Sequence, residues 1–73
     1  MEQYSIKPIL TKRETEILTQ LANGLLYKEI AAKNSISIET VKKHTKNTYK
    51  KLGARNRTEA VNFFLRESRK INA

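Results

Sequence analysis

"SIETVKKHTKNTYKKL", residues 37–52, is the stretch that decides how this chain folds. Ser37 suits a helix N-cap, because its hydroxyl can accept a bond from a first-turn backbone N–H. Val41, Thr45, Thr48 and Leu52 recur at helical spacing and point to one side. Lys42, Lys43, Lys46 and Lys50 fall on the opposite half, with Lys51 at its edge. Gly53 follows, suited to the left-handed conformation that closes a helix. Like charges three or four residues apart repel and weaken an isolated helix. Packing of the inner face must therefore hold this helix, and its lysines are either solvated or await a polyanion.

The rest of the chain favours the polyanion. It has 73 residues, enough for one small domain with a thin stability margin. Fifteen Lys and Arg oppose seven acidic residues, a net +8 with a pI near 10.1. Residues 38–58 carry seven of those cations against Glu39 alone, +6 of the total. A basic excess concentrated this way favours nucleic acid. Cys is absent, which removes disulfides and thiolate metal sites and suits a reducing compartment. No apolar run approaches a membrane span of ~18 residues and no secretory signal opens the chain, so a cytoplasmic location is expected. All the acidic residues are Glu, so control through a phosphorylated aspartate would have to come from another chain or domain.

Three further helices flank residues 38–52. Residues 1–9, ahead of the domain assigned to 10–73, read as a polar N-terminal arm containing Pro8. Thr11 and Glu14 have capping-box spacing, and Ile17, Leu18, Leu21 and Ala22 continue the helix to Asn23-Gly24. A short second helix runs from Tyr27 to Lys33, with Ile30 and Ala31 inward and a turn at Asn34-Ser35. Asn56 caps a fourth helix with Glu59 at its third position. Ala60, Val61, Phe64 and Leu65 serve its core side, leaving Phe63 and Ile71 as a surplus. No segment alternates as a strand does. The expected class is all-α, four helices containing a helix-turn-helix, whose second helix begins at Ser37 and enters the major groove.

"LTKRETEILTQLANG" (10–24), "KEIAAKNSIS" (28–37) and "ETVKKHTKNTYKKLGARNRTEAV" (39–61) resemble, in order and spacing, the LuxR-type helix-turn-helix domain. The likeness runs over residues 8–65. It implies a bacterial transcription factor that binds two-fold symmetric DNA as a dimer, reading with its third helix and pairing through its fourth. In related domains base contacts come from the positions matching Lys42, Lys43 and Lys46. Phosphate contacts come from the start of the second helix, the third helix and the loop after it. Glu14, Leu18 and Gly24 match the family's structural signature. Three positions depart from it. Leu26 stands where Ser or Thr usually caps the second helix, a loss of about 1 kcal/mol. Thr45 and Thr48 stand where apolar side chains are usual, so each hydroxyl needs a partner, with the carbonyl four residues back as the candidate.

Read singly, these residues divide by chemistry. Lys42, Lys43 and Lys46 can donate to guanine O6 and N7 and can equally settle on phosphate. Asn47, at the edge of the face, can read adenine, with plain exposure as the competing reading. Thr40, Lys50, Lys51 and Arg55 are expected at phosphates, adding affinity without sequence information. Tyr27 and Lys28 are expected to reach the backbone from the second helix, against simple exposure. Arg57 divides between a phosphate contact and a salt bridge inside the fold. Asn62, Phe63 and Arg66 are the expected dimer interface. His44 is the single histidine and has no companions for a metal site; no nucleophile–base pair is present, and no cofactor is expected.

The leading expectation is a sequence-specific regulator of double-stranded promoter DNA, a homodimer with RNA polymerase as a further partner and no membrane contact. A rival is a protein-interaction module that dimerises with a longer regulator through helix 57–71. Nonspecific packaging of DNA is a third.

Overall fold

The computed structural model describes residues 10–72, with side chains as far as residue 67. The expected arm, 1–9, and the Ile71 side chain lie outside the described residues. Four helices and no strand occur among those described: α1 (Lys12–Ala22), α2 (Tyr27–Asn34), α3 (Ile38–Leu52) and α4 (Arg57–Asn72).

Each start is built by local chemistry. Thr11 caps α1 through a complete capping box: its hydroxyl accepts from the Glu14 N–H at 3.0 Å, and Glu14 Oε1 accepts from the Thr11 N–H at 2.9 Å. Leu26 can offer α2 no side-chain acceptor, but the other half of the box survives, with Glu29 Oε1 accepting from the Leu26 N–H at 2.7 Å. Ser37 caps α3 and Asn56 caps α4, each accepting at 3.0 Å from an N–H three residues on. The ends are equally local. Gly24 follows α1 at φ 87° and Gly53 closes α3 at φ 69°, both in the left-handed region. Ser35 closes α2 at φ 56°, where a side chain costs roughly 1 kcal/mol.

Leu10, Ile17, Leu18, Leu21, Ile30, Ala31, Val41 and Ala60 form the buried core. α1 packs on α3 and α4, and α2 packs chiefly on α3. Asn34 ties α2 to α1. Its Nδ2 donates to Gln20 Oε1 at 2.8 Å, and its Oδ1 accepts from Arg13 Nη1 at 2.9 Å.

Glu14 does a second job beyond its cap. Its carboxylate is buried, and Oε1 also accepts from Lys51 Nζ at 2.8 Å, joining the start of α1 to the end of α3. Burial pushes this carboxyl up. The Lys51 hydrogen bond, the Thr11 N–H and the Lys51 charge outweigh that and hold it below its ordinary value.

Two expectations need correction. The hydroxyls of Thr45 and Thr48 do not bond to the carbonyl four residues back; both are buried without a partner. Thr15 and Thr19 on α1 do make that bond, at 3.0 and 2.8 Å. On α4 the surplus apolar residue is Leu65, 43% exposed, while Phe63 packs against the core. Helix geometry explains the exchange: Leu65 stands about 140° round the helix from the buried Ala60, and Phe63 only about 60°.

Two predictions follow from these contacts. Glu14→Gln keeps the reciprocal cap, which Glu and Gln both make, and loses the charge. Because the folded carboxyl lies below its unfolded value, its contribution is full above the unfolded pKa. It is lost as pH falls through the folded one. Urea midpoints measured against pH should show the parent ahead by on the order of 1–2 kcal/mol at neutrality and converging with the variant in acid. Parallel curves would contradict the pairing. Thr45→Val and Thr48→Val each remove an unpartnered buried hydroxyl and should raise stability by about 1 kcal/mol in the same assay. A loss instead would show that the hydroxyl has a bonded partner.

Candidate nucleic-acid interface

α3 is divided cleanly between its two sides. Val41, Thr45 and Thr48 are buried against the other helices, and Leu52 packs beside them. Lys42, Lys43, Lys46, Asn47 and Lys50 are all exposed. The helix therefore holds its cations outward on a backbone that its inner face cannot release. At its N-terminus the Ser37 cap also meets the Thr40 hydroxyl, Oγ to Oγ1 at 2.9 Å, which orients the half-buried Thr40 side chain. His44 is half-buried at the boundary of the two sides.

The remaining residues expected at phosphates separate into two groups. Lys28 and Arg55 are exposed. Arg55 donates to Glu59 Oε2 at 3.2 Å, but its side chain is 87% exposed, so the pair is weak and readily exchanged for another anion. The Glu59 carboxyl lies below its ordinary value, first through the Arg55 backbone N–H and then through the Arg55 side chain.

Lys51 and Arg57 are instead bonded to residues at the two ends of α1. Lys51 is committed to Glu14. Arg57 Nη2 donates to the Leu21 and Leu25 carbonyls at 2.9 and 3.0 Å, satisfying backbone acceptors where α1 ends. Tyr27 is half-buried against the core. Beside it, burial and then the proximity of Tyr27 push the Tyr49 hydroxyl up to about 12, although the two hydroxyls do not meet in hydrogen-bonding geometry.

Asn62, Phe63 and Arg66 come together on one side of α4. The Arg66 guanidinium lies 5.9 Å from the centre of the Phe63 ring, within cation–π range. With Leu52, Gly53 and Ala54 they border a groove of about 280 Å³. Asn62 and Arg66 are exposed, and Phe63 is half-buried.

The bonding roles of Lys51 and Arg57 are the ones that spacing along the chain does not reveal. Their partners lie 37, 36 and 32 residues away, beyond any local pattern. The one linear signal was the capping-box glutamate, whose Oε1 can accept from a distant cation as well as from the cap. Among the described residues no group of His, Cys, Asp or Glu could hold a metal ion, and no helix is long and apolar enough to cross a membrane.

Comparison with known proteins shows the family. The family model for bacterial regulatory proteins of the luxR family matches residues 8–64. Spore germination protein GerE of Bacillus subtilis (strain 168) is 42% identical over 65 residues, covering 89% of this chain and 88% of GerE. The probable transcriptional regulatory protein SgaR of Hyphomicrobium methylovorum is 56% identical over 52 residues, 71% of this chain and 25% of that protein. The nitrate/nitrite response regulator protein NarP of Escherichia coli (strain K12) is 44% identical over 59 residues, 81% of this chain and 27% of NarP. The chain thus spans about a quarter of SgaR and of NarP but most of GerE. No solved structure matches it significantly. Domains of this kind are DNA-binding and regulatory rather than catalytic. By the family model, and by its likeness to GerE along almost the whole length of both proteins, the chain belongs to the luxR family of bacterial regulatory proteins.

Proposed function

We propose that this protein regulates transcription in a bacterial cytoplasm by binding promoter DNA as a homodimer, with α3 in the major groove. The observation that carries the reading is the division of α3. Lys42, Lys43, Lys46 and Asn47 are exposed together on a helix whose opposite face is buried. A helix inserted in the groove reads base edges with its N-terminal residues, and lysine and asparagine supply donors for guanine and adenine.

The capture step is electrostatic. Lys28, Lys50 and Arg55 are exposed cations outside the reading face and take phosphates, releasing condensed counterions and fixing the register of α3. Thr40, at the start of α3, adds a hydroxyl, and Tyr27 contributes from the start of α2. Lys51 and Arg57 act one step back. They fix the ends of α1, α3 and α4 relative to one another, so the reading helix meets DNA as part of a rigid body.

Dimerisation runs through Asn62, Phe63 and Arg66, which share one side of α4. A two-fold pair brings two copies of α3 to successive major grooves, about one helical turn of DNA apart. Position of the site relative to the promoter then determines whether RNA polymerase is helped or blocked.

Selection of binding sites from random duplex DNA near physiological salt tests this directly. The parent should enrich a two-fold symmetric motif, and a Lys42/Lys43/Lys46→Ala triple variant should enrich none. Lys50→Ala should weaken all sequences alike and lower the slope of log affinity against log salt by about 0.9. Tight binding by the parent without any motif would favour nonspecific packaging. No binding by the parent would favour the protein-interaction reading.

A further inference from the structure

Glu39 is the only acidic residue between Ile38 and Thr58. It stands three, four and seven residues before Lys42, Lys43 and Lys46, so the four side chains share one side of α3. The spacing to Lys43, with Glu on the N-terminal side, is the favourable one for a helical ion pair.

That pair does not form. Glu39 is exposed and makes no hydrogen bond or ion pair among the described residues. The other described glutamates are all engaged. Glu14 holds Thr11 and Lys51, Glu16 pairs with Arg13, Glu29 accepts from Leu26, and Glu59 accepts from Arg55. Glu67 is not without a partner either. A lone carboxylate on a face that enters a groove between phosphate backbones works against capture wherever it points at the backbone. Its first-turn position complements the helix dipole, which accounts for an acidic residue there but not for its place among the lysines.

We infer that Glu39 is a specificity-determining residue, reading cytosine in the major groove beside a lysine that reads the paired guanine. This rests on the DNA-binding reading of α3 above. In the major groove cytosine presents only the N4 amino donor, while guanine presents O6 and N7 as acceptors. An ionised carboxylate only accepts and an ammonium only donates. A neighbouring Glu and Lys therefore match the full donor–acceptor pattern of one G·C pair. The same carboxylate opposes thymine O4 and guanine O6, and it repels phosphate whenever the helix sits out of register. Glu39 thus lowers affinity for DNA in general while raising it for one base pair.

The test is the same random-duplex selection with Glu39→Gln and Glu39→Ala, alongside the Lys42/Lys43/Lys46→Ala variant, after thermal melts have shown each protein folded. The parent should select cytosine at one position of each half-site, preferred about tenfold. Glu39→Gln should transfer that preference to adenine, which a glutamine amide matches with both its groups. Glu39→Ala should show no preference there and bind random duplex more tightly than the parent. If parent and both variants select the same base at every position while the triple lysine variant loses the motif, the inference fails and the DNA-reading role of α3 stands. If the parent itself selects no motif, that role fails and takes this inference with it.

Discussion

One buried carboxylate holds the geometry on which everything else depends. Glu14 accepts from the Thr11 N–H to close the start of α1, and from Lys51 to anchor the end of α3. Both bonds converge on Oε1 of a side chain that is only 4% exposed. A buried carboxylate without partners would either be driven to protonate or destabilise the fold by several kcal/mol. Here the two ends of distant helices supply those partners. Arg57 repeats the logic at the other end of α1, donating to the Leu21 and Leu25 carbonyls from the first residue of α4. α1 is thereby the reference against which α3 and α4 are set.

The consequence for α3 is that its stability comes from one side and its chemistry from the other. Repulsion among Lys42, Lys43, Lys46 and Lys50 costs helix stability in the free protein, and burial of Val41 with the tie to Glu14 offsets it. The unpartnered Thr45 and Thr48 hydroxyls add a further cost, of about 1–3 kcal/mol each, directly beneath the outward lysines. Phosphates placed against the lysines would relieve the repulsion but not the buried hydroxyls. The fold therefore spends much of a small domain's margin on presenting one charged helix, which is intelligible if that helix is where function resides.

Much of this was legible in the sequence, because helix starts and stops are written in adjacent residues. Thr11 with Glu14, Ser37, Asn56 with Glu59, Gly24 and Gly53 all act within four residues, and all are found at the expected ends. The burial of Val41 and the exposure of the lysines follow from helical period alone. What could not be seen was tertiary pairing. Lys51 and Arg57 find their partners 37 and 36 residues away, at Glu14 and the Leu21 carbonyl, and no neighbouring residue in the sequence points to either. The exchange of Phe63 and Leu65 has the same origin: a helix with apolar residues on more than one side needs its neighbours to decide which side is covered. Glu39 was visible only as a deficit in a charge count. Its lack of a partner is a property of the folded surface.

The measurement that bears most directly on α3 as the reading element is an NMR titration of the isotope-labelled protein with a duplex carrying its selected site. The largest amide shifts and the intermolecular contacts to base protons should fall on residues 38–47, with smaller shifts near Lys28, Lys50 and Arg55. Signals of Ile17, Leu18 and Leu21 in the α1 core should remain in place. Contacts to DNA concentrated on α4, with residues 38–47 unmoved, would contradict the reading role of α3.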